Sequence, residues 1–341
     1  MGPAGSCRLR RLIVDAPLLL LLVLLASGLF ALAAHGQERA RPFPDAPGDA
    51  RIVAEDLVRF WEAWDAMQAE GGREARERQL RTRYLEPGSP GLEEFYRLRI
   101  GSAWNLLDAI STAPEYYASL RALTPRAAAI AEPVREAYAR LEALYPPAVF
   151  PDVYLLMGAL NSAGTIGETG LLIGVEMHGR RDGVSLAELN DWLQDVLRPP
   201  EALPYIIAHE LIHFQQDLPE QPTLLEAVIV EGSADFLAEL IAGDHINRHI
   251  HEWALPREKA IWRHLEARAG SSDYSDFLYG GAGEGRPEGW PADVGYFVGY
   301  RIAQAYYERA DDKKQAVADL LTCTDFAALL AASGYAERFR E

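Results

Sequence analysis

Cysteine is nearly absent from this chain: Cys7 and Cys323 are the two in 341 residues. That excludes a disulfide framework, and neither thiol lies in a metal-type cysteine cluster. Basic charge is in the minority, with 33 Lys and Arg against 50 Asp and Glu and a formal charge of −17. No basic stripe runs through the sequence. The one locally basic segment, GREARERQLRTR at 72–83, has the look of a solvated helix face, so no nucleic-acid partner is expected. A phosphate-binding G-x-x-x-x-G-K-[ST] loop is missing, which leaves the Gly-rich stretch at 161–170 without phosphate chemistry. Internal repeats are also missing. What is present is 49% apolar content, enough for one large or two modest globular domains.

The N-terminus is a targeting segment. Arg8, Arg10 and Arg11 precede an apolar run over 16–34, and Ala31-Leu32-Ala33 fits a small-x-small cleavage site. Residues 1–34 read as a secretory signal peptide. The run is also long enough to stay as an anchor, so cleavage and tethering to the inner membrane are both open. Either way the chain is exported, to a periplasmic or other extracytoplasmic location. No Cys closes the run, so a lipid anchor is not expected. Cys323 is expected to be buried and inert.

Residues 35–50 are rich in Pro, Gly and charge and read as a linker. Residues 51–145 carry helical spacing throughout, beginning at Ile52 and Val53 and including one helix around 92–110. Trp61, Trp64, Trp104, Tyr116 and Tyr117 are expected to be core. The pattern changes after Tyr145-Pro146-Pro147, and residues 146–341 read as the catalytic domain. Residues 149–156 and 171–177 are apolar and β-branched, which predicts two strands joined by the Gly-rich stretch. The second is the candidate sheet edge. Ser185 with Glu188 three later predicts a helix over 185–197 with a capping box.

The chemistry concentrates in residues 203–240. His209-Glu210-Leu211-Ile212-His213 is an H-E-x-x-H pattern, a metalloprotease motif. Two His four apart on a helix point from one face, so both imidazoles reach one ion. Glu210 lies beside that ion, placed to take a proton from water. A third ligand is needed, and Glu231 is the candidate. On a helix over 223–241 it shares a face with Asp235, which would accept the free ring N–H of a ligand His. Glu226, Glu239 and the group His245, His249 and His251 are rival ligands, the three His being favoured as a polar surface. Residues 271–291, rich in Gly and Tyr, are expected on the cleft rim. Tyr296, Tyr300 and Arg301 follow in a helix whose Gly295 and Gly299 allow another element to approach closely. Any of the three could donate to a developing oxyanion.

The arrangement resembles the gluzincin metallopeptidases, with H-E-x-x-H on one helix and E-x-x-x-D on the next. Metzincins are excluded, since Gln216 and Pro219 stand where they need Gly and His. The blocks AHELIHFQQ, LLEAVIVEGSADFLAEL and DVGYFVGYRIAQAYYE together resemble a family of predicted zinc-dependent proteases related to the gliding-motility lipoprotein. That resemblance implies one Zn2+ on His209, His213 and Glu231, with Glu210 as base. It implies an α+β fold, mostly α, in which a zincin-like core of a small sheet, a metal helix and a glutamate helix sits beside a helical N-terminal region. The expected function is zinc-dependent hydrolysis of a peptide or protein substrate. A metal-binding envelope protein without proteolytic activity, or a zinc hydrolase of a non-peptide amide or ester, are the alternatives.

Overall fold

Four short strands form the sheet in the order β1-β2-β4-β3. They are β1 (Ile52–Val53), β2 (Val153–Leu156), β3 (Gly164–Ile166) and β4 (Leu171–Gly174). β1, β2 and β4 run parallel, whereas β3 is antiparallel to β4. The computed structural model describes residues 43–44, 46–280 and 285–340, without the side chains of 126–128. All of them belong to one unit, Glu38–Glu341. The signal or anchor segment and Cys7 lie outside the described residues. Among those described, no helix is long and apolar enough to cross a membrane.

The architecture is α+β and mostly helical. Two sequence expectations about the sheet are overturned. β4 is not an edge. It lies between β2 and β3, and all four of its residues are buried, which is why LLIG reads as a continuous apolar run. The edge on that side is β3, inside the stretch expected to be a connection; β1 is the other edge. Three residues rich in Gly and Thr leave no alternation to detect. The second correction concerns Ile52 and Val53, which are strand rather than helix and pair with Val153 and Tyr154. Asp152 accepts from the Arg51 backbone amide at 2.8 Å and from Arg51 Nε at 2.9 Å, holding that pairing. The sheet therefore draws strands from both sides of residue 145.

Helices pack around it. In chain order the principal ones are α1 (Glu55–Gln68), α2 (Pro90–Phe95), α3 (Ala103–Thr112), α4 (Ala131–Leu144), α5 (Leu203–Gln215), α6 (Leu224–Ala242) and α7 (Val294–Arg309). The single helix expected around 92–110 is broken. A π-helical turn over Tyr96–Ile100 follows α2, and Gly101, at φ 76°, ends it. Buried tyrosines tie the N-terminal helices to the end of β2. Tyr84 donates to the Met157 carbonyl at 2.7 Å and Tyr117 to the Gly158 carbonyl at 2.8 Å. Trp61, Trp64, Tyr116 and Tyr117 are buried as expected, while Trp104 is 38% exposed under the Arg73 guanidinium.

The helix expected over 185–197 is shorter, Asp191–Val196, with Asn190 as its cap. Glu188 does not serve a capping box. Its carboxylate accepts the backbone amides of Glu115 and Tyr116 instead, capping the helix Pro114–Ser119. The capping box lies elsewhere, at Thr223 and Glu226, where α6 begins.

α5 lies against β3 and β4, α6 packs on α5, and α7 crosses α6. At that crossing glycine meets glycine. A Cβ on Gly232 would stand 2.0 Å from the Tyr300 amide nitrogen, and one on Gly299 would stand 1.7 Å from the Val228 carbonyl oxygen. The helices touch backbone to backbone there, one residue beyond Glu231.

Candidate metal centre

α5 is buried nearly all round, with Ile206, Ile207, Ala208, Leu211 and Ile212 in the core. His209 and Glu210 are buried in the same helix, 4% and 8% exposed. Such groups need partners, and α6 supplies them.

Both imidazoles are oriented from behind. Asp235 Oδ1 lies 2.9 Å from His209 Nδ1, and the other Asp235 oxygen accepts from Asn247 Nδ2 at 2.8 Å. Gln216 Oε1 lies 2.7 Å from His213 Nδ1, while the Gln216 amide nitrogen donates to the Val230 carbonyl at 3.0 Å. That second bond turns the amide oxygen toward the ring. An acceptor at each Nδ1 assigns the proton to it and leaves both Nε2 lone pairs facing inward.

Those lone pairs converge. The two Nε2 atoms are 3.0 Å apart, and Glu231 Oε2 lies 3.2 Å from His213 Nε2 and 3.6 Å from His209 Nε2. One ligand atom from each of His209, His213 and Glu231 lies within 4.8 Å of the others. Three acceptors this close repel unless a cation or a shared proton sits among them, and two imidazoles with one carboxylate are a zinc-type donor set. The electrostatics agree. Burial opposes charge on His209, but hydrogen bonds and attraction from Asp235 and Glu231 overcome it and push the imidazole up to about 10. Burial likewise opposes charge on Glu231 and Asp235, yet the facing His groups hold both carboxyls well below the usual range. The pocket is built for positive charge, and the residues present fit a metal ion.

Glu210 lies between the two imidazoles' charge and the sheet edge. A Cβ on Gly164 would stand 2.7 Å from both Cγ and Oε1 of Glu210, so a side chain there would push the carboxylate off β3. Burial raises the Glu210 pKa, and His213 and His209 counter the rise.

The chain matches the family model described as gliding motility protein GldB over residues 79–337, more than half its length. It belongs to this family. No curated protein and no solved structure gives a match. The part matched to GldB carries every residue of the centre, and also α2, α3 and α4, where the sequence offered no chemistry.

The remaining sequence candidates separate. Tyr296 stays at the centre, its ring centroid 6.2 Å from that of His209. Tyr300 and Arg301 are occupied elsewhere. Tyr300 donates to Glu239 at 2.6 Å, and Arg301 is paired with Glu258 at 2.9 Å and bonded to Gln304. One helical turn separates Tyr296 from Tyr300, and that step along α7 puts the Tyr300 ring against Phe236 and His251. Of the rival ligands, Glu226 caps α6 and Glu239 receives Tyr300. The three His are not a polar surface. His245 is buried, 3.7 Å from Asp235 Oδ2, and stacks against His251, while His249 alone is exposed. Cys323 is partly buried, and burial pushes its thiol up to about 11, so it is a poor nucleophile.

Two residues of the centre went unmarked in the sequence. Gln216 figured there only as the position that excludes metzincins. Tyr279 lies in the loop expected at the rim and donates to Glu231 Oε1 at 2.9 Å. Tyr279 and Asp293 both have positive φ, 62° and 63°, and the Gly280 amide donates to Asp293 at 2.6 Å. Backbone held in that region is a mark of a constrained position, but nothing in one sequence signals it. Replacing Asp235 by Ala is expected to free the His209 ring and weaken metal affinity about 10–100-fold. Chelator competition measures this, and an unchanged affinity would deny Asp235 the role.

Proposed function

We propose that this chain is an exported, zinc-dependent peptidase with a zincin-like core. The observation that carries the reading is the convergence of His209 Nε2, His213 Nε2 and Glu231 Oε2 while Glu210 faces a sheet edge. Zinc held by these three ligands would supply Lewis acidity, polarising a carbonyl and making water more acidic. The chain's own residues would do the rest. Asp235 and Gln216 hold the imidazoles in one tautomer, and Tyr279 steadies Glu231. β3 is antiparallel and at the edge, so an extended peptide can pair with it by main-chain hydrogen bonds. Glu210 takes a proton from the attacking water as its oxygen adds to the scissile carbonyl. It then returns the proton to the amine nitrogen as the C–N bond breaks. Tyr296 is the remaining donor for the oxyanion.

Export rests on the basic-then-apolar segment at 8–34 and on kinship with a gliding-motility family. The test is the metal content of purified residues 37–341 beside Glu231→Ala, together with turnover of a quenched peptide library. About one zinc per wild-type chain is expected, with clear loss in the variant and cleavage only where zinc is bound. No zinc in the wild type would remove the reading. Full zinc without any turnover would leave a metal-binding envelope protein.

A further inference from the structure

Arg99 stands at the broken helix before the sheet, with no assigned role. Its backbone is pinned. The Asn161 side-chain amide donates to the Arg99 carbonyl at 2.7 Å, and that of Asn105 to the Ile100 carbonyl at 3.0 Å. The π-helical turn and the positive φ of Gly101 aim the side chain at the sheet edge, where Nη2 donates to Thr165 Oγ1 at 2.6 Å. Thr165 follows Gly164, against which Glu210 lies.

The guanidinium is otherwise unsatisfied. Among the described residues Nε is buried without an acceptor, and Nη1 has no hydrogen bond and is not among the sealed atoms. Among the described residues no carboxylate oxygen lies within 4.0 Å of it. Its neighbour Arg97, by contrast, pairs with Glu94 at 3.5 Å. Burial lowers the Arg99 pKa, and the Glu210 charge counters that only in part. A guanidinium in such surroundings needs an anion, and its planar fork suits a carboxylate.

We propose that Arg99 is a substrate-binding residue that receives a carboxylate of the substrate beside Glu210, either a C-terminal carboxylate or an acidic side chain. This rests on the peptidase reading and narrows it: the preferred peptides are anionic at one defined position along β3. Thr165 orients the fork and the open Nη1 side meets the ligand.

The test is calorimetric binding to the purified zinc-loaded protein, so it needs no turnover and stands apart from whether peptides are cleaved. Four probes are compared. N-acetylphenylalanine carries a C-terminal carboxylate, and N-acetylphenylalaninamide is its neutral partner. N-acetylglutamic acid α-amide carries a side-chain carboxylate, and N-acetylglutamine α-amide is its neutral partner. One carboxylate probe is expected to bind about tenfold tighter than its neutral partner, and whichever pair shows this identifies the source. Arg99→Met should abolish the preference with zinc content unchanged, and Arg99→Lys should restore part of it. A preference that survives in Arg99→Met belongs to the metal and overturns the proposal. So does the absence of any preference in the wild type.

Discussion

Gly299→Ala is expected to cost the protein both stability and its metal. The added methyl would sit 1.7 Å from the Val228 carbonyl oxygen and 3.0 Å from Gly232 Cα. Both are backbone atoms, so no side chain can swing aside. α7 must move away from α6, and Glu231 lies next to Gly232 in that wall. Overpacking of this kind destabilises by about 3 kcal/mol or more. Urea unfolding measures the loss, and zinc analysis of the folded fraction reads the displacement of Glu231. A variant with the wild-type midpoint and full zinc would show that the crossing tolerates a methyl and does not position the ligand. Gly295→Ala is a graded control. Its Cβ would stand 2.9 Å from Leu278 Cδ2 and from the Phe277 carbonyl oxygen, so a smaller loss is expected.

Glu210→Gln is expected to do the opposite: keep the metal and lose the chemistry. Glu210 is not among the converging ligand atoms, and glutamine matches its volume in the space beside Gly164. The amide cannot accept the proton that the attacking water must lose. Removing a general base typically costs about 10²–10⁴-fold in rate. Single-turnover cleavage of the best library peptide, with zinc quantified in the same sample, is the measurement. Turnover within a few-fold of wild type would mean that Glu210 is not the base. Loss of zinc would mean that it belongs to the ligand set.

These variants mark where the sequence was legible. The spacing of His209 and His213 is a property of one helix, so it could be read without a fold. Asp235 beside His209 follows from a second helical period once α6 is placed against α5. Tyr300 and Arg301, grouped with Tyr296 by spacing, have their partners in Glu239 and Glu258. Helical spacing puts residues on one face but does not say which neighbours that face meets one turn further along. β3 escaped because three residues carry too little pattern, and the neighbours on β4 make it a strand. Arg99 escaped because its role depends on Thr165 and Glu210, which are 66 and 111 positions away in the chain.

The sequence by itself determined the local chemistry: two imidazoles four apart, a carboxylate beside the first, and an acidic second helix. These are short-range features, set by helical periodicity and composition. Tertiary structure alone decided that Tyr279 and Gln216 join the centre, which tyrosine of α7 stays with it, that β3 is an edge beside Glu210, and that Arg99 meets Thr165 there with its Nε unpaired. Those facts depend on contacts between elements far apart in the chain. Burial there forces every polar group either to find a partner or to wait for one from outside.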